Sequence, residues 1–268
     1  MRKWKMALAG ALSLFMIETP VAYSLPVYSV AAEESTVADT AVLNGLVKEN
    51  NKYYYYVNGK MQKGWQNVTT QSNGKSVTYR YYFGSNGAAY AATPQQKTLV
   101  KKIGGKYYGF NSLGRVRTNT FCNVKMKKGK TTSTYRYYFG SNGAAYAGKK
   151  SYGTPEIAVK KIKGKYYGFN LNGNMVKGTW VKSGKFYVFG KSGVYNAALS
   201  KKLRAAAGYE KDAAALLSLI GNPKKIQVLE NTCYGNGTEM YYYYDNYFAD
   251  IFKFSGTGKT IVLGVSAK

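Results

Sequence analysis

The chain has 268 residues, with 39 Lys and Arg against 12 Asp and Glu and no histidine, so its formal net charge is +27 at pH 7. Without histidine there is no Ser-His-Asp or Cys-His catalysis, no His-ligated zinc site and no imidazole pH switch. An apolar share of 45% supports a folded chain rather than a disordered one.

Arg2, Lys3 and Lys5 precede an apolar stretch from Met6 to Ile17, too short to span a bilayer. This order predicts a secretory signal peptide over residues 1–32, with Val30, Ala31 and Ala32 forming its small-residue cleavage site, and a linker over 33–43. No later stretch reaches the roughly 18 apolar residues that a membrane span requires. The remaining chain is therefore expected outside the cytoplasm, secreted and without a membrane span. Cys122 and Cys233 have no C-x-x-C spacing. They predict no metal site, and either one long-range disulfide or two small buried thiols.

Residues 44–198 are repetitive. Thr78 to Ala91 reads TYRYYFGSNGAAYA, and Thr134 to Ala147 repeats it letter for letter. Gly105 to Asn111 and Gly164 to Asn170 both read GKYYGFN. A smaller unit recurs inside this duplication, an aromatic strand followed by a Gly/Asn turn and a short second strand. Its expected turn glycines are Gly59, Gly87, Gly114, Gly143, Gly173 and Gly193, and Asn58, Asn86, Asn142 and Asn172 precede four of them. Asn-Gly pairs supply the positive φ that a tight hairpin turn needs, and Tyr and Phe favour the pleated strand. A lone hairpin is marginal in water, so each must bury its aromatic face on its neighbours. The expectation is a β-hairpin solenoid.

The stretches Lys52 to Trp65 (KYYYYVNGKMQKGW) and Gly164 to Trp180, the latter continuing to Phe186 and Tyr187, resemble the cell-wall-binding repeats of Gram-positive bacteria, the choline- and glucan-binding type. That resemblance implies aromatic boxes that hold a quaternary ammonium group by cation–π attraction, or faces that hold a sugar. Carried over, it nominates Tyr54, Tyr56 and Trp65 as the nearest match to a box. Tyr107, Tyr108, Tyr166 and Tyr167 follow in the two GKYYGFN copies, where Gly109 and Gly168 remove one wall. Trp180, Phe186 and Tyr187 complete the set. No cofactor is implied.

The charge sits on these repeats: residues 41–200 hold 27 Lys and Arg against only Glu49 and Glu156. Clusters such as Lys101-Lys102, Lys125 to Lys130 and Lys160 to Lys165 make a field that captures polyanions. For an exported protein the expected partner is a cell-wall polymer, a teichoic acid, a glycan or choline-like groups, with no specific role for nucleic acid. A host or biofilm polysaccharide, bound by an adhesin, is the alternative.

After Ala198 the composition changes. Residues 199–268 predict a small α+β domain, a helix packed on a four-stranded antiparallel sheet. Ala213, Leu216, Leu217 and Ile220 share one helical face, with Asp212 as N-cap and Gly221 and Pro223 as the stop. Strands are expected at 225–229, 239–244, 248–254 and 260–265. Helix-then-sheet order and the Ile220-Gly221-Asn222-Pro223 corner resemble the small units of the β-lactamase-inhibitor-protein-like fold, which implies a protein partner by analogy. Gly258-Lys259-Thr260 matches the end of a phosphate-binding loop, but Lys253 stands where its first glycine belongs and a strand follows. The clustered carboxylates Glu230, Glu239, Asp245 and Asp250 leave little room for a two-carboxylate cleft, so no enzyme is expected.

Overall fold

The computed structural model describes residues 42–268, residue 231 excepted. The expected signal peptide, and all of the linker but its last two residues, lie outside the described residues. The described chain is mainly β and built of open antiparallel sheets, with two helices and no closed barrel.

Strands β1 (Gly45–Glu49), β2 (Lys52–Val57) and β3 (Lys60–Met61) form the first sheet. Six two-stranded hairpins follow: β4 (Gly64–Ser72) with β5 (Lys75–Phe83), β6 (Leu99–Ile103) with β7 (Lys106–Phe110), and β8 (Thr120–Lys128) with β9 (Thr131–Phe139). The small β10 (Lys149–Ser151) and β11 (Thr154–Glu156) come next, then β12 (Ala158–Ile162) with β13 (Lys165–Phe169) and β14 (Gly178–Lys182) with β15 (Lys185–Phe189).

The phase of these hairpins differs from the one expected. Asn58-Gly59 is a two-residue turn as read, with φ of 48° and 74°. Six other ladders pivot elsewhere, on Asn50-Asn51, Asn73-Gly74, Gly104-Gly105, Tyr152-Gly153, Lys163-Gly164 and Ser183-Gly184, both residues of each pair having positive φ as a type I′ turn demands. Gly87, Gly114, Gly143, Gly173 and Gly193 sit instead in short returns that close on a single bridge, such as Phe83 with Ala89 and Phe139 with Ala145. In these returns only the glycine is left-handed. Asn86 and Asn142 keep negative φ and use the side chain: Asn86 Oδ1 accepts from the Ala88 N–H at 3.2 Å, and Asn142 Oδ1 from Ala144 at 3.0 Å.

The returns also tie hairpins to earlier ones. Ala89 donates to the Tyr53 carbonyl, Val116 to Arg80, Ala145 to Tyr107, Met175 to Arg136 and Tyr195 to Tyr166, all at 2.7–2.9 Å. Buried side chains collect in separate small clusters, within one hairpin for Val68 with Tyr81 and Phe83, and between hairpins for Tyr138 with Ile162 and Phe169.

Beyond the last return come α1 (Ala197–Ala206) and α2 (Ala213–Ile220), then β16 (Lys225–Val228), β17 (Gly237–Tyr243), β18 (Tyr247–Phe254) and β19 (Thr260–Ala267), a four-stranded antiparallel sheet in that order. Asn196 caps α1 by accepting from the Leu199 N–H, and Asp212 caps α2 through the Ala214 N–H, each at 3.0 Å. Val181, Phe186 and Val188 of the last hairpin are buried in one core with Leu203, Leu216, Tyr247, Ile251 and Val262. Ser200 fastens that joint: its hydroxyl accepts from the Val188 N–H at 2.9 Å and donates to the Asn196 carbonyl at 2.7 Å.

The cysteines are not bonded to each other: Cys122 is buried and Cys233 exposed, so one of the two thiols departs from the buried reading. Among the described residues no helix is long and apolar enough to cross a membrane.

Candidate functional site

Strand alternation explains how the aromatic faces arise. In β5 the TYRYYF segment sends Tyr81 and Phe83 inward, 0% and 1% exposed, and leaves Arg80 and Tyr82 on the other face. Register then sets Trp65 of β4 directly opposite Tyr82. The copy does the same, with Phe121 of β8 opposite Tyr138 of β9.

Trp65 meets Tyr82 at a 5.0 Å centroid distance and Tyr108 of the next hairpin at 4.6 Å, both nearly edge to face. Its expected companions Tyr54 and Tyr56 lie half-buried in β2 and do not take part in this group. Gly64, with φ of 73°, turns the chain out of the first sheet, so Trp65 faces forward to β7 rather than back to β2. In the second copy Phe121 meets Tyr138 at 4.8 Å and Tyr167 at 5.1 Å. A third cross-strand pair joins Trp180 to Tyr187.

An arginine lies over each of these groups. The Arg80 guanidinium is 3.9 Å from the Trp65 centroid, Arg136 is 4.4 Å from Phe121, and Arg204 of α1 is 4.4 Å from Tyr187. Sequence reading counted these arginines only as charge. The signal that could have found them is the period of two, which puts each strand arginine on the same face as the tyrosine two positions on.

The other nominated rings are divided between surface and core. Tyr107 is half-buried and donates to Asn172 Oδ1 at 3.2 Å, with the Lys102 ammonium 5.6 Å above its ring. Tyr166 is 47% exposed beneath Lys161 at 5.9 Å, while Phe186 is fully buried and offers no ring face to solvent. Lys101 over Tyr90 and Lys160 over Tyr146 repeat the lysine-on-tyrosine arrangement at 5.5 and 5.6 Å. Tyr152, fully exposed at the tip of the β10–β11 hairpin, was missed because it lies outside the repeat pattern.

One pocket of about 230 Å³ opens beside Trp180, walled by Glu156, Asn170, Asn172, Asp245 and Asn246. The Trp180 indole N–H donates to the Lys177 carbonyl at 2.9 Å, and Glu156 accepts from the Ser183 N–H and hydroxyl at 3.1 and 3.0 Å, so both walls are held in place. Of the carboxylates weighed for catalysis, Asp245 is paired with Lys224, and Asp250 lies near Glu239. Burial, with the Glu239 charge, pushes Asp250 up to about 6. Among the described residues no three His, Cys, Asp or Glu side chains converge as metal ligands would.

No family model and no curated protein matches the chain. Solved structures similar to it include CbpJ from Streptococcus pneumoniae TIGR4, at 22% identity and TM-score 0.38, covering 57% of this chain and 42% of that one. The cell-wall endolysin of phage Cp-1 complexed with choline matches at 18% identity and TM-score 0.30, over 54% of this chain and 35% of its own. The choline-binding domain of Spr1274 in S. pneumoniae matches at 22% identity and TM-score 0.19, over 52% of this chain and 100% of its own. The chain thus spans less than half the length of the first two. Of these, the phage endolysin is complexed with choline and the Spr1274 unit is a choline-binding domain.

Proposed function

We propose that residues 44–198 form a β-hairpin solenoid that holds a secreted, non-catalytic protein on an anionic bacterial cell-wall polymer. The observation that carries this reading is the repeated placement of exposed lysines over tyrosine rings on equivalent hairpins, Lys101 and Lys102 in one and Lys160 and Lys161 in the other. Ammonium groups spaced along a repeat with almost no acids attract a polyphosphate chain, and the adjacent ring faces pack the sugars or polyols between phosphates. Residues 199–268 are read as an α+β unit that engages a protein partner.

The test is retention on purified Gram-positive cell walls, with and without their teichoic acid, over a salt series. Retention should fall about tenfold or more between roughly 0.05 M and 0.5 M salt, and equally on walls stripped of teichoic acid. Retention indifferent to both would overturn the reading. The pocket beside Trp180 favours a second reading, in which a neutral sugar stacks on the indole and bonds to the asparagine amides. That reading predicts indole chemical-shift changes of Trp180 with short wall glycans, which Asn246→Ala weakens without altering salt-sensitive retention.

A further inference from the structure

A ring met by two others at steep angles makes an aromatic cage whose electron-rich faces suit one cation. Trp65, Tyr82 and Tyr108 are such a set: Trp65 stands at 73° to Tyr82 and 64° to Tyr108. Phe121, Tyr138 and Tyr167 are its duplicate, at 64° and 62°. In each, a guanidinium of the chain itself lies over the central ring.

We propose that Arg80 and Arg136 are the resident ligands of these two cages and the residues that decide their specificity, closing them to free quaternary ammonium groups. Arg80 stacks on Trp65 and also lies 6.0 Å from Tyr108, between two walls of the cage. Its Nη1 donates to the Asn142 carbonyl at 3.1 Å, so a bond outside the cage fixes the guanidinium in it. Arg136 occupies the matching place at 4.4 Å from Phe121.

The third cross-strand pair argues that a stacked guanidinium does not depend on the TYRYYF segment. In β15 the position two before Tyr187 is Lys185, which is exposed. The guanidinium over Tyr187 comes instead from α1, where Arg204 is anchored by donating to the Phe186 carbonyl at 2.7 Å. Two different elements therefore place a guanidinium on a cross-strand aromatic pair, over the first-strand ring for Trp65 and Phe121 and over the second-strand ring for Tyr187.

A tethered guanidinium competes at high effective concentration, so a free ammonium ion must displace it before binding. Arginine also stacks flat on a ring while keeping N–H donors for a carbonyl, which a quaternary ammonium group cannot do. The rings of these two cages are thus used to lock hairpins together, and the exposed lysines with the tyrosines beneath them are left to meet the polymer. The inference rests on the polymer reading only for that last step, and its test needs no cell wall.

The probe is tetramethylammonium, titrated by calorimetry into the full chain and its variants. The wild type should take up none at these cages, Arg80→Ala one ion, Arg136→Ala one, and the double variant two, each at least about tenfold tighter than any wild-type binding. Equal binding by wild type and variants would overturn the proposal, and so would folded variants that bind nothing. A measurement on the wild type alone guards against variants that fail to fold: the δ-methylene protons of Arg80 and Arg136 should be shifted upfield by the ring currents of Trp65 and Phe121. Random-coil shifts at both would sink the idea. Loss of wall retention would leave it standing, and silent titrations would leave the polymer reading standing.

Discussion

At the scale of single residues, Gly109 and Gly168 show how a motif departure changes meaning once neighbours are in place. Both looked like the loss of a box wall. A Cβ on Gly109 would stand 2.5 Å from the Phe139 ring, and one on Gly168 2.5 Å from Phe189, each ring belonging to a following hairpin. The glycines admit those rings, which are 0% and 2% exposed. Gly109→Ala should therefore cost about 1–3 kcal/mol, read as a lower denaturant midpoint at unchanged slope. Gly168→Ala should cost the same, and the two should add because their rings lie in separate clusters. Asp250 gives a prediction in pH. Its folded value of about 6 lies above the ordinary aspartate value of about 4, so the native state binds the extra proton between them. Stability then falls as pH rises from about 4 to about 6 and stays lower above that window. Asp250→Asn should raise Tm at pH 7, leave it unchanged at pH 4, and flatten the slope between.

At the scale of elements, the strands and the existence of tight turns were legible, because both are carried by residues adjacent in the chain. The phase was not. Asn-Gly pairs marked Gly87 and Gly143 as hairpin pivots, whereas the ladders pivot on pairs such as Lys163-Gly164 and Ser183-Gly184, whose first residue carries no such mark. What forces these residues left-handed is the register of the strands on either side, since Ile162 must pair with Lys165 and Lys182 with Lys185. The last hairpin also behaves unlike its siblings. Phe186, nominated as a ligand contact from its place in the repeat, is fully buried against Tyr247 at 5.2 Å. Phe186→Ala should cost about 3–5 kcal/mol, several times the cost of Tyr187→Ala on the half-buried face, as thermal melts would show.

At the scale of the whole molecule, two kinds of cohesion meet. The hairpins bury small separate clusters and lean on one another through a few hydrogen bonds, while residues 178–268 share one larger core. A fragment 199–268 would expose the surfaces that Val181, Phe186 and Val188 cover. The fragment 178–268 should therefore melt cooperatively and at higher temperature than 199–268, and equal melting temperatures would show that the last hairpin adds nothing.

The sequence by itself determined composition, charge and local chemistry. It places nearly all the positive charge on the repeats, sets aromatic residues at alternating strand positions and supplies turn residues between them, all properties of neighbours along the chain. Only the tertiary structure decided which rings meet and what fills the space between them. Trp65, Arg80 and Tyr108 come from three strands of two hairpins, and their meeting depends on turn phase, strand register and the advance from one hairpin to the next. Pairing across a sheet and stacking between sheets are set by packing over long sequence separation, so an arginine that reads as surface charge becomes the occupant of an aromatic cage.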